Sequence, residues 1–274
     1  MEFEPTDPST WLPLDGLAIG FDANKGATTG ELDGRTIVID NEDGSWVEHV
    51  FGSGRVTHTF HPPDAAAPTV QVDAFEAFVV DDALYYAQFH EQAFPSSAVS
   101  LFIDDRTNRS LTVVTEIGDV SQPGTRVSQR FVVGALHGLR ALGSPPHPTP
   151  ALVGRRALWI YSASHAYEHI YLSPRWYSWQ CLAGPEKGLA DTDEVTTYEL
   201  RPGIYVFTWR EKVVPCAAVT VADHREPRGL RSHGALFGLD GSGTQYVHFT
   251  FGAYGRLLGV TAHPDDLDPI YEGA

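Results

Sequence analysis

The second half of this chain repeats the first at a constant offset of 120 residues. Slid forward by that offset, Leu32, Gly34 and Arg35 fall on Leu152, Gly154 and Arg155, and Glu48 and His49 fall on Glu168 and His169. Asp73 falls on Asp193, Tyr85 on Tyr205, Glu91 on Glu211 and Gly118 on Gly238. Conservative exchanges such as Val50/Ile170, Phe78/Tyr198 and Phe89/Trp209 lie between the identities, and no gap is needed. One repeat of this length exceeds a solenoid unit of roughly 20 to 50 residues and has the size of a domain. The chain is therefore read as a small domain duplicated. The duplication also supplies an internal comparison: what both copies keep leans towards fold, and what one copy elaborates is a candidate for function.

Within each copy the hydrophobic period is two. In Ile204–Glu211, Tyr205, Phe207, Trp209 and Glu211 point one way, and Ile204, Val206, Thr208 and Arg210 point the other. Similar runs in copy two cover 156–161, 166–172, 175–182, 194–200, 215–223, 231–238, 245–252 and 256–262, separated by turn signals such as Asp240, Gly241, Ser242 and Gly243. Short strands at this spacing indicate an antiparallel sandwich or barrel, and no long segment carries a helical period. Closure of about eight meandering strands removes exposed edges, and a barrel of that size can hold one small ligand. The expected fold is all-β, with tandem duplicated antiparallel barrels. Residues 1–31 form an irregular lead-in, 32–139 the first barrel, 140–151 a linker broken by four prolines, and 152–274 the second barrel with a short acidic tail.

Composition narrows the function. A formal charge of -16, from 19 basic and 35 acidic residues, argues against nucleic acid as a partner and against anionic lipid. No apolar run approaches a membrane span. The start, Met1 to Pro5, is acidic and proline-broken, unlike a signal peptide. The expected location is the cytoplasm. Cys181 and Cys216 read as buried thiols rather than a disulfide. The sequence leaves the oligomeric state open, a homodimer included.

The densest chemistry lies in copy two. Tyr167, His169 and Tyr171 share one strand face, and Trp159, Trp176, Trp179, Tyr205 and Trp209 add rings on neighbouring strands. Glu211 ends a strand whose inward residues are aromatic. A carboxyl so placed loses hydration, which raises its pKa and suits it to acid–base work. The alternative is a rim ion pair with Arg210 or Lys212, and the repetition of Glu211 as Glu91 leaves the two readings even. Glu168 and His169, also repeated, lean structural. The segment from Trp179 to Asp193 is elaborated relative to its counterpart in copy one, as functional loops are. No metal is expected: His58 with His61, and His165 with His169, lack a ligand set. The run His263, Pro264, Asp265, Asp266 matches a deacetylase zinc motif, but only eight residues follow it where that motif opens a domain.

These residues carry a family resemblance. Tyr167 to Tyr171, then Trp179 to Gly184 with Glu186, Lys187, Gly188, Asp191, Thr192 and Asp193, then Tyr205 to Lys212, resemble the MoaF family over about 150–225, and copy one resembles that family's N-terminal domain more weakly. Copy two is also distantly similar to the phenolic acid decarboxylases, which are single lipocalin-like (calycin) barrels. This second resemblance implies a calycin barrel. It also places that family's two substrate-holding tyrosines on Trp159 and Tyr161, its arginine on Gln180 and its glutamate on Glu211. Tyr161 and Glu211 keep the chemistry, whereas Trp159 and Gln180 do not, and without the arginine nothing grips a substrate carboxylate.

The expected function is binding of a small apolar or aromatic organic molecule in copy two, with lyase, hydratase or isomerase-type proton transfer and no cofactor. Glu211 and Tyr161 are the candidate catalytic residues. Trp159, Tyr167, His169, Tyr171, Trp179, Gln180, Tyr205 and Trp209 are the candidate ligand contacts. The alternative is a non-catalytic carrier or accessory protein in molybdenum-cofactor or secondary metabolism.

Overall fold

A computed structural model of the chain describes residues 4, 6–64, 66–118 and 126–270; the extreme N-terminus and the last four residues of the acidic tail lie outside them. The first barrel is β1 (Thr36–Asn41), β2 (Trp46–Phe51), β3 (Arg55–His61), β4 (Thr69–Asp81), β5 (Leu84–His90), β6 (Ser97–Asp104), β7 (Arg109–Ile117) and β8 (Val127–Leu136). It is an up-and-down meander closed by β8 on β1. A two-residue strand, β9 (His147–Pro148), ends the linker. The second barrel is β10 (Arg155–Ser162), β11 (His165–Tyr171), β12 (Trp176–Ala183), β13 (Ala190–Arg201), β14 (Ile204–Arg210), β15 (Cys216–Asp223), β16 (Leu230–Leu239) and β17 (Tyr246–Val260), closed by β17 on β10. Each barrel thus has eight antiparallel strands. Regular helix among the described residues is confined to α1 (Leu14–Leu17) and two 3-10 turns, Pro8–Thr10 and Asp265–Leu267. No helix is long and apolar enough to cross a membrane.

The repeat appears strand by strand, because corresponding strands begin 119 to 121 residues apart. The repeated Leu-x-Gly-Arg is the turn that enters each barrel. Gly34 and Gly154 have φ of +77° and +80°, which a side chain would strain. Their N–H groups donate to the Phe51 and Tyr171 carbonyls, and Arg35 and Arg155 N–H donate back to Leu32 and Leu152. Those two leucines are buried in their respective cores.

One strand breaks the constant offset. In barrel one His49 faces His58, and Val56 faces Asp73. In barrel two His169 faces Trp179, and Tyr177 faces Asp193. β3 and β12 therefore correspond at 121 residues, because the turn before β12 (172–175) is one residue longer than the turn before β3 (52–54). The spatial counterpart of Trp179 is His58, not Thr59. The two runs expected at 245–252 and 256–262 are a single strand, β17. Gly255 mimics a turn signal there, but it is a point of close approach: a Cβ at Gly255 would lie 2.6 Å from the Trp159 ring.

The chain divides into two compact units, and the described residues before Ala27 belong with the second barrel. The Phe21 ring stacks on Tyr161 at 4.3 Å, Trp11 meets Trp179 edge-on, and the Asn24 N–H donates to the Tyr161 carbonyl. The lead-in is therefore part of a core.

Candidate functional site

Inward stations of six strands converge at one end of the second barrel. β10 supplies Tyr161, β11 supplies Tyr167 and His169, and β12 supplies Tyr177 and Trp179. β14 supplies Trp209 and is followed directly by Glu211, while β15 and β16 add Cys216 and Leu236. They enclose a cavity of about 70 Å³, with Trp11, Leu12, Leu14, Leu17 and Phe21 of the lead-in forming part of its wall. Arginine and lysine are absent from that wall among the described residues.

The cavity is built around two carboxyl groups, each held by an indole. Trp209 Nε1 donates to Glu211 Oε1 at 2.8 Å, and Trp179 Nε1 donates to Asp193 Oδ2 at 2.8 Å. The two carboxyls interact directly. Asp193 is fully buried, and its Oδ1 has no other hydrogen-bond donor. Burial first, and then the charge of Asp193, push the Glu211 pKa well above the carboxylate range. Burial also raises Asp193, opposed by the Trp179 N–H and by Glu211 itself. Lys212 Nζ lies 4.0 Å from Asp193 Oδ1, too far to donate but close enough to favour charge on Asp193. Two buried carboxyls this close disfavour carrying two charges at once, so the pair favours holding a proton between them.

A third carboxyl enters from the elaborated loop. Glu186 is buried, accepts from Tyr167 Oη at 3.0 Å, and has its pKa raised by burial. His169 is buried among Trp159, Tyr171, Tyr177, Phe207 and Trp209. Burial lowers its pKa to about 3, so it is neutral, and its Nδ1 has no partner. Cys181 and Cys216 are both free, buried thiols.

Of the residues expected from sequence, Tyr161, Tyr167, His169, Trp179, Trp209 and Glu211 line this one cavity. Trp159 and Tyr171 lie deeper, around a small void beneath it. Tyr205 starts β14, some six residues or about 20 Å along the strand from Glu211, where it packs against His224 and the Arg155 guanidinium. Gln180 is a correction: on β12 the buried stations are Tyr177, Trp179 and Cys181, so Gln180 faces outward and is exposed. Glu168 faces outward too and pairs with Arg156. Sequence reasoning misses Asp193, Glu186, Tyr177 and the lead-in aromatics. Asp193 carries a misleading signal, because its repetition as Asp73 marks it as fold. Glu186 carries a usable one, since it lies in the loop private to copy two. Among the described residues no group of three or more potential metal ligands occurs, and His263 is exposed.

Comparison with known proteins gives two family matches: the MoaF N-terminal domain over residues 9–119 and the MoaF C-terminal domain over 146–261. A curated relative, Protein MoaF of Klebsiella aerogenes, is 38% identical over 151 residues. That match covers 53% of this chain and 56% of the relative, so the chain spans little more than half the relative's length. Two solved structures are more remote. A protein of unknown function from Nostoc punctiforme is 12% identical, with 81% of this chain and 93% of that one covered and a TM-score of 0.32. A protein from Burkholderia vietnamiensis is 15% identical, with 40% and 97% covered and a TM-score of 0.33. Neither likeness is close enough to bear on fold or function.

Proposed function

This chain belongs to the MoaF family, and within that frame we propose that its second barrel binds a small, largely apolar organic molecule and moves protons on it, with Glu211 as the acid. The observation that carries the reading is the carboxyl pair: Glu211, its pKa pushed well above the usual carboxylate range by burial and by Asp193, beside that buried aspartate in a largely aromatic wall with no Lys or Arg among the described residues. General acid catalysis needs a proton held by a group that would ordinarily have lost it. Once Glu211 gives up its proton, two buried carboxylates face one another, and the proton must be recovered within the same turnover. That cycle fits an isomerisation, or an addition or elimination of water, in which one proton is given and one is taken. Tyr161 orients the substrate from the opposite strand. Its hydroxyl stays neutral, because burial raises its pKa further. With no arginine in the wall, a carboxylate-gripping decarboxylase mechanism is disfavoured. A pure carrier would need the aromatic wall but not the carboxyl pair.

The test works with an unidentified substrate. The full-length protein is incubated in D₂O with a fractionated metabolite extract, and carbon-bound deuterium is sought by mass spectrometry. Wild type should label one compound or a small related set, and Glu211→Gln should not. Absence of labelling, or equal labelling by the variant, would remove the catalytic reading.

A further inference from the structure

The larger cavity lies in the first barrel, in the copy that sequence comparison marks as the plainer one. It measures about 410 Å³, within the range of small-molecule pockets. Its apolar wall includes Phe89, Val99 and Val132, all buried, with Val47 and Val114.

Four of its polar side chains, His58, His49, Gln71 and Asn41, spend a hydrogen-bond donor inside the protein, and the last three leave an acceptor unpaired. His58 gives its Nε2–H to Asp73 Oδ2 at 2.8 Å. His49 donates to the Ile37 carbonyl, is held neutral by burial, and has no partner at Nδ1. Gln71 gives its amide N–H to Glu91 Oε1 at 2.9 Å, and its Oε1 is unpaired. Asn41 gives its amide N–H to Ser45 Oγ at 3.0 Å, and its Oδ1 is unpaired. These orientations are fixed by the partners. Carboxylate and carbonyl oxygens only accept, and the Ser45 hydroxyl proton is already committed to Asp43 at 2.6 Å. Ser97 Oγ, also buried at the wall, has no partner either. Buried polar atoms are seldom left in this condition, because each unmet one has lost its water without gaining a partner. At the wall and mouth Glu91 and Glu116 outnumber the single cation, Arg130, which lies near Asp43.

We propose that the first barrel is a second ligand site, for a small amphipathic molecule whose apolar body carries a hydrogen-bond-donating head, a hydroxyl or an amine rather than a carboxylate. Such a head meets the unpaired acceptors of His49, Gln71 and Asn41, and the apolar body fills the space against Phe89, Val99 and Val132. A carboxylate would set its lone pairs against theirs. This inference rests on the first barrel alone and is independent of the acid–base reading of the second.

The test is isothermal titration of the full-length protein with three size-matched probes: 2-naphthol, 2-naphthylmethylamine and 2-naphthoate. The first or the second should bind at least tenfold more tightly than 2-naphthoate. Val99→Trp and, separately, Thr112→Phe fill the cavity from different strands, and either one, if folded by circular dichroism, should abolish binding. His49→Phe removes an acceptor while keeping a ring, and should weaken binding roughly fivefold to thirtyfold. The proposal is overturned if 2-naphthoate binds as well as the others, if no probe binds more tightly than about 1 mM, or if binding survives in the folded cavity-filling variants.

Discussion

Glu211→Gln separates a shared proton from an ion pair, whatever the ligand. Glutamine keeps an oxygen for the Trp209 N–H, now 2.8 Å from Oε1, and offers an N–H₂ to Asp193 Oδ1, the atom with no other donor. The variant therefore mimics the protonated side chain at every pH. In wild type the folded Glu211 pKa is raised well above the ordinary value, with burial the larger cause and Asp193 the next. Between the unfolded value of about 4.3 and the raised one, the folded state holds a proton that the unfolded state has released. The stability that Glu211 contributes is thus complete below the unfolded pKa and is lost as pH rises through the folded one. One proton corresponds to about 1.4 kcal/mol per pH unit. Urea unfolding of both proteins at intervals of pH above the unfolded carboxyl value should show wild type losing stability relative to the variant as pH rises, by up to about 1.4 kcal/mol per pH unit until the folded pKa is passed. Groups common to both proteins cancel in the difference. Parallel stability curves would mean that Glu211 is ionised in the folded state, and the acid role would fall with its proton.

Four buried histidines make an opposite prediction on the acid side. His49, His169 and His224 are lowered to about 3 and His233 to about 4, mainly by burial. The stability they contribute is present above the unfolded histidine value and is lost as pH falls from about 6.5 towards those folded values. His169→Phe should flatten the acid limb of a urea titration by up to about 1.4 kcal/mol per pH unit, and an unchanged limb would show that His169 charges while folded. Phe21→Ala removes the ring stacked on Tyr161 and should cost about 3 kcal/mol. It should also expose Trp179 and Trp209 to acrylamide quenching, whereas unchanged quenching would show that the lead-in does not close the cavity. Gly255→Val places side-chain atoms where a Cβ alone would sit 2.6 Å from Trp159. It should destabilise by about 1–3 kcal/mol, and a neutral effect in thermal unfolding would mean that Trp159 has room to move.

The duplication, the barrel class and the strand parity are legible in the sequence because each is a matter of periodicity, and a closed meander turns period two directly into inside and outside. Parity also brings Tyr167, His169, Trp209 and Glu211 to one cavity. What escapes is set by geometry that a constant offset cannot carry. Gln180 is drawn in by resemblance, although its own strand alternation, with Trp179 and Cys181 buried on either side, assigns it outward. Tyr205 shares the inward face with Glu211 but lies far along the strand, because parity fixes direction and not depth. Phe21 and Trp11 give no periodic signal, since they reach the core from an irregular segment. The family resemblance seen in copy two extends over copy one as well, through the two domain matches.

The longer turn before β12 explains how one frame produced two different interiors. The same two acidic stations are kept, Asp73 with Glu91 and Asp193 with Glu211. In barrel one Asp73 is met twice, by His58 Nε2 and by the Gln92 backbone N–H at 2.8 Å, and Glu91 is met by Gln71. Each acid there has its own protein donor, and the space beside them stays open. In barrel two the extra residue sets Trp179 at the station of His58. The indole N–H still reaches the aspartate, but Trp179 brings a larger ring and no lone pair. It fills volume and leaves Asp193 Oδ1 without a hydrogen-bond donor. Glu211 is the neighbouring carboxyl that couples to it. A kept acid is therefore not evidence of a kept role: the same carboxyl has two protein donors in one copy, and in the other has a single indole donor beside a second buried carboxyl. The residue that decides between them is the ring donor opposite, at a position where the constant 120-residue offset pairs the wrong side chains.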